Sequence, residues 1–156
     1  VDTVVLCIQP GSGDSLQFMK AGVMELPDLV AVTKADMGAA ARRAASDVTG
    51  ALSLARNRDA GWKVPVFELS ARTGEGIDAL IAGVEQHRAF LAGEGRLSAK
   101  REVQQKNWYL DMIRTRFGSA GLAAAEAIQP SGANLVQKPF ATYQHVAREI
   151  EQRLGL

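Results

Sequence analysis

The sequence predicts an α/β fold: part of a parallel sheet, three strands with helices, followed by a C-terminal helical extension. Three observations predict it. Short apolar runs from Thr3 to Gln9, Asp28 to Thr33 and Val64 to Ser70 each pass through a turn signal into a stretch of helical periodicity. Strand and helix in alternation imply parallel strands joined by crossovers. The runs Val4-Val5-Leu6-Cys7-Ile8 and Leu29-Val30-Ala31-Val32 are continuously apolar, as strands covered on both faces must be. After Leu91 the strand-like runs stop and only helical patterns follow.

The elements follow in order. Asp14 and Gln17 have capping-box spacing, so a first helix is expected to start near Asp14 and to end before Pro27. A second, rich in Ala and Arg, is expected over Ala39 to Asn57. A third is expected from Ile77 to Leu91, with Ile77, Leu80, Ile81, Val84 and His87 or Arg88 on its inward stripe. Ala92-Gly93-Glu94-Gly95 breaks that pattern. Beyond it, Arg96 to Phe117 reads as a long helix with Val103, Leu110, Ile113 and Phe117 on one stripe and Trp108 and Met112 beside it. Gly118 and Gly121 frame its end, a short helix is expected over Leu122 to Ile128, and a loop is expected at residues 129–134. Pro139 is expected to open a last amphipathic helix that carries Phe140, Tyr143, Val146, Ala147, Ile150 and Leu154 at helical spacing. Two domains are expected, residues 1–92 and 96–156.

Composition narrows the function classes. The 156 residues are 47% apolar and 22% charged, with 18 Lys plus Arg against 17 Asp plus Glu. A net charge of +1 gives no field able to hold a nucleic acid or an anionic membrane, so neither is an expected partner. One cysteine cannot close an internal disulfide, and no run reaches the roughly 18 apolar residues of a membrane span. A cytoplasmic location is therefore expected. The chain opens straight into a buried-strand pattern at Val1-Asp2-Thr3-Val4, which suits a piece of a longer chain.

Two motifs carry chemistry. Thr33-Lys34-Ala35-Asp36 falls at the carboxyl end of the second strand, the edge of an open parallel sheet where ligands bind. An aspartate there can accept hydrogen bonds from both N1–H and the exocyclic amino group of guanine, while a lysine stem lies on the ring face. Adenine offers no such donor pair. Charge-assisted bonds of this kind discriminate by roughly ten- to several-hundred-fold. The alternative is a polar strand end whose aspartate caps the helix that follows. At the end of the third strand stands Ser70-Ala71-Arg72-Thr73-Gly74-Glu75-Gly76. Backbone N–H groups of such a turn can face the guanine carbonyl oxygen, with Gly74 and Gly76 allowing close approach. The alternative is an ordinary turn into a helix capped by Thr73 or Asp78. Two such motifs at neighbouring strand ends favour a guanine site.

Other residues are less informative. Gly11-Ser12-Gly13-Asp14-Ser15 is no phosphate cradle, because Asp14 brings negative charge where phosphates need N–H groups and a cation. Gly-Lys-Ser and Gly-Lys-Thr occur nowhere, so the sequence holds no Walker A loop. Cys7, inside an apolar strand, is expected to be a buried and inert thiol. His87 and His145 lie on different helices without ligand spacing, so no metal site is expected. Arg42, Arg43, Arg96, Lys100, Arg101 and Lys106 read as solvated helix faces.

The pair Thr-Lys-Ala-Asp and Ser-Ala-Arg-Thr-Gly-Glu-Gly-Ile resembles the base-recognition half of a P-loop GTPase. Gln9-Pro10-Gly11-Ser12-Gly13-Asp14-Ser15-Leu16-Gln17 and Lys20-Ala21-Gly22-Val23-Met24-Glu25-Leu26-Pro27-Asp28-Leu29 are similar to one branch, the MeaB/ArgK family. These are GTPase chaperones of methylmalonyl-CoA mutase and related cobalamin-dependent mutases. The resemblance implies part of a P-loop NTPase sheet. It assigns the base to Lys34 and Asp36, with Ser70 and Ala71 completing the pocket and Thr33 and Arg72 flanking it. Thr33 stands where many GTPases carry asparagine. Asp14 and Lys20 match charged positions of the family's switch segment. GTP or GDP is the implied cofactor, with Mg2+ held by residues outside this segment, and no catalytic residue is expected within it. A cobalamin-dependent mutase and a second copy of the protein, through the helical extension, are the implied partners. The competing expectation is a non-catalytic dimerisation or partner-binding module derived from a GTPase.

Overall fold

The computed structural model describes residues 1–11, 23–54, 61–128 and 139–155. The helix expected from Asp14, the switch positions Asp14 and Lys20, residues 55–57 and the loop at 129–134 lie outside the described residues. The chain divides into two compact units, Val1–Glu94 and Gly95–Leu156.

In the first unit, strands β1 (Val5–Ile8), β2 (Leu29–Val32) and β3 (Val66–Glu68) form a parallel sheet in the order β1-β2-β3. Each observed strand lies within its expected run, trimmed at both ends where pairing stops. Register places Leu6 beside Val30 and Val30 beside Val66 on one face, and Cys7 beside Ala31 and Ala31 beside Phe67 on the other. Helix α1 (Ala39–Leu54) covers the first face, with Val48 packed among Ile8, Met24 and Val30. Helix α2 (Ile77–Ala92) covers the second. It approaches closely at Gly83, where an added Cβ would stand 2.4 Å from the Phe67 ring and 3.1 Å from Leu29 Cδ2. All four residues of β2 are buried, as the central position demands.

Three expectations need correction in this unit. Cys7 is exposed, because among the described residues β1 is an outer strand of the sheet and α2 lies over β2 and β3 on Cys7's face. Of the stripe expected on α2, His87 is buried and Ile77, Leu80 and Val84 are half-buried, with Gly83 and Leu91 buried beside them, but Ile81 is 56% exposed and Arg88 lies on the surface beside Glu85. Gly83, without a side chain, lets the helix rest on the sheet there, which leaves Ile81 outside the contact. Neither Thr73 nor Asp78 caps α2. Its N-cap is Gly76, left-handed at φ 75°, with no side-chain cap bond.

At the amino ends of the strands sits a buried polar cluster that the sequence did not announce. Asp28 accepts the Val4 N–H at 2.8 Å, and its carbonyl accepts Trp62 Nε1–H at 2.8 Å. His87, fully buried, shares a 2.9 Å hydrogen bond between Nδ1 and Thr3 Oγ1, and its Nε2 lies 3.5 Å from Asp28 Oδ1. The Trp62 ring packs 4.8 Å from His87 and 5.3 Å from Phe90. These contacts tie β1, β2 and α2 together at the end opposite the strand termini that carry the two motifs.

The second unit contains α3 (Arg96–Ile128) and α4 (Pro139–Leu154). Helix α3 is broken at Gly118, whose φ of 64° and ψ of −155° are not helical, so the expected break falls where the glycine stands. Tyr109, Ile113, Ala125, Val146 and Ile150 form the core of this unit. Burying an isoleucine of this kind stabilises by roughly 1.5–3 kcal/mol. Trp108 sits edge-on to Phe140 and Tyr143 at 4.9 and 6.0 Å. Val103 and Phe140, expected on inward stripes, are 60% and 69% exposed. No helix among the described residues is long and apolar enough to cross a membrane.

Candidate functional site

Both motifs arrive at one edge of the sheet because β2 and β3 are neighbours and parallel. Leu69 N–H donates to Val32 O at 2.9 Å and Ala35 N–H to Leu69 O at 3.0 Å, zipping the two strand exits together. Thr33 fixes the remaining strand, β1: its N–H and hydroxyl both donate to Ile8 O, at 2.8 and 3.2 Å. The side chain that stands in the asparagine position thus ties β2 to β1.

Lys34 then adopts a left-handed conformation, φ 57° and ψ 43°. A residue with a Cβ is held there at a cost of about 1–3 kcal/mol, supplied by the surrounding bonds. The turn has a use. It leads into a single helical turn at Ala35–Met37 and brings Asp36 back under the exit of β3. Lys34 itself is exposed, its stem free to lie along a ligand.

The second motif closes on itself. Ser70 N–H donates to Glu75 O, Gly74 N–H to Ser70 O, both at 2.9 Å, and Thr73 N–H to Ser70 Oγ at 3.3 Å. Gly76 passes against β3 so closely that a Cβ would fall 2.1 Å from Glu68 O. Only glycine fits that position, with its positive φ.

Between the two motifs lies the central contact. Ser70 Oγ–H donates to Asp36 Oδ1 at 2.6 Å, and Arg72 Nε–H to Asp36 Oδ2 at 3.0 Å. Ser70 is wholly buried and the Asp36 side chain is 22% exposed. The Ser70 hydroxyl, with Arg72 adding to it, holds the Asp36 carboxyl below its usual range, against a smaller opposing effect of burial. Asp36 therefore does not spend its oxygens on capping α1, which begins after Gly38. Each carboxylate oxygen thus accepts from a side-chain donor, Oδ1 from buried Ser70 and Oδ2 from exposed Arg72. Ala71 and Arg72 flank it on the surface.

The six residues of the two motifs, Thr33, Lys34, Asp36, Ser70, Ala71 and Arg72, are thus clustered at one sheet edge. No group of three His, Cys, Asp or Glu side chains able to hold a metal occurs among the described residues. The left-handed turn at Lys34 and the ion pair to Arg72 escaped sequence reasoning. Their only signal was the non-glycine residue at a sharp strand exit.

The family described as "Methylmalonyl Co-A mutase-associated GTPase MeaB" matches residues 1–126. A "Probable GTPase" of Mycobacterium tuberculosis strain H37Rv is 42% identical over 116 residues, 73% of this chain and 34% of its own. The mouse protein "Methylmalonic aciduria type A homolog, mitochondrial" is 38% identical over 116 residues, 73% of this chain and 28% of its own. Its namesake in Caenorhabditis briggsae is 30% identical over 115 residues, 72% and 28% respectively. The chain spans about a third of the length of the relatives it matches. With the matched region running through both motifs and the whole sheet, the chain belongs to the MeaB family of methylmalonyl-CoA mutase-associated GTPases.

Proposed function

We propose that this chain supplies the guanine-recognition part of a GTP-binding and GTP-hydrolysing chaperone of a cobalamin-dependent acyl-CoA mutase such as methylmalonyl-CoA mutase. The observation that carries the reading is the Asp36 carboxylate, anchored by buried Ser70 at the ligand edge of the sheet. Its two oxygens suit the N1–H and amino donors of guanine. Lys34 lies along the ring, Ser70 and Ala71 close the pocket, and Thr33 and Arg72 border it. Family membership and the relatives' names support both the nucleotide and the mutase.

Bound GTP supplies the scissile phosphoanhydride, and Mg2+ enters with its phosphates on residues outside this segment. The chain's own residues orient the base. Asp14 and Lys20 belong to the segment that passes the nucleotide's state to the mutase. The helical unit forms the homodimer contact.

Titration of the complete protein with GDP and ADP tests the base reading. The unmodified protein should prefer GDP, and Asp36→Ala should reduce that preference at least tenfold. An unchanged preference would remove Asp36 from the pocket.

A further inference from the structure

Asp36 is held by two donors of opposite character. Ser70 is fully buried, and its hydroxyl is fixed from behind by the Thr73 N–H that it accepts. Arg72 is 74% exposed, reaches Oδ2 through Nε, and makes a single bond rather than the bidentate fork a guanidinium can form. One donor belongs to the fold and the other lies on the solvent side of the carboxylate, the side from which a base must come.

We infer that Arg72 is a displaceable counter-ion of the base-reading carboxylate: guanine enters by exchanging its own N–H donors for that of Arg72. This rests on the guanine reading of Asp36. The Arg72 guanidinium pairs with Asp36 Oδ2 at 3.0 Å. When guanine arrives, Ser70 keeps Oδ1 oriented while Arg72 swings into water, where a 74% exposed side chain needs no new partner. The exchange sets a threshold. It weakens guanine binding by the strength of one exposed ion pair, about two- to fivefold, and it fades as salt screens that pair. Adenine, without the donor pair, cannot complete the exchange. Arg72 is therefore a positioning residue that tunes affinity and release through Asp36.

Fluorescent GDP binding to the complete protein, measured from about 50 mM to 1 M salt, provides the test. Arg72→Ala should bind two- to fivefold more tightly at low salt, and the difference should vanish at high salt. Arg72→Lys, which keeps the charge, should stay near the unmodified protein. Weaker binding by Arg72→Ala, or equal binding at every salt concentration, would overturn the inference. The exposure of Arg72 leaves the fold of the variant unthreatened. Asp36→Ala, run alongside with GDP and ADP, separates the two levels. If it abolishes the guanine preference while Arg72→Ala loosens binding, only the counter-ion role falls. If it leaves the preference intact, the base reading itself falls and takes this inference with it.

Discussion

Ser70 Oγ and Asp36 Oδ1 meet at 2.6 Å across 34 positions of sequence, joining the exits of two neighbouring parallel strands. This bond fixes the orientation of the carboxylate and lowers its pKa. Ser70→Ala should therefore weaken GDP binding about tenfold through the lost orientation, while the buried alanine keeps most of the volume. Isothermal titration of the complete protein would measure it, and the Asp36 carboxyl followed by NMR should titrate at higher pH in the variant.

The same bond sets a pH dependence. A carboxyl held below its ordinary value of 3.8 stays ionised as the solution is acidified from neutrality to that value. Stabilisation from the Asp36 contacts is present above the ordinary value and is lost as pH falls through the lower folded value. Guanine preference should accordingly remain flat from pH 7 to about pH 5. Competition between GDP and ADP across that range checks this. A loss of preference centred near pH 6 would point to a histidine instead.

Gly76 is the tightest point of the site. A methyl group there would meet Glu68 O at 2.1 Å, on a backbone already at φ 75°. Gly76→Ala should cost about 2 kcal/mol or more in stability, because both the clash and the left-handed strain oppose it. Urea denaturation of the complete protein would give the value. Gly74→Ala, where a Cβ meets nothing within 4 Å, provides the comparison and should show only the strain of its positive φ.

At the opposite end of the sheet, His87→Leu removes the partner of Thr3 and the neighbour of Asp28 while keeping an apolar body against Trp62. Leaving these buried polar atoms without His87 should destabilise by about 1–3 kcal/mol. Guanine preference should be unaffected, since the cluster lies at the other strand ends. A thermal shift without a change in relative GDP and ADP affinity would confirm the separation.

Much of this was legible before any coordinates. The parallel order followed from continuous apolarity in Leu29-Val30-Ala31-Val32, because only a doubly covered strand has no polar face. Thr33 to Asp36 and Ser70 to Gly76 gave the candidate site, since strand exits in one sheet converge. The face of α2 was less legible. Apolar periodicity pointed to Ile81, but a close approach at Gly83 decides where the helix rests, and an absent side chain leaves no hydrophobic signal. Cys7 misled for a related reason, as an apolar run cannot say which strand lies at an edge. The Asp28, His87, Thr3 and Trp62 cluster joins residues up to 84 positions apart, a distance no local pattern spans. The left-handed Lys34 is imposed by tertiary bonds, with no local residue preference to betray it.

The central claim is that Asp36 reads the base. Asp36→Asn tests it most directly, because it replaces one carboxylate acceptor by an amide donor. Xanthine, with a carbonyl where guanine has its amino group, matches that donor. In the complete protein the variant should lose affinity for GDP and gain affinity for xanthosine diphosphate, each by at least about tenfold. A variant that still prefers GDP over xanthosine diphosphate as strongly as the unmodified protein would contradict the assignment.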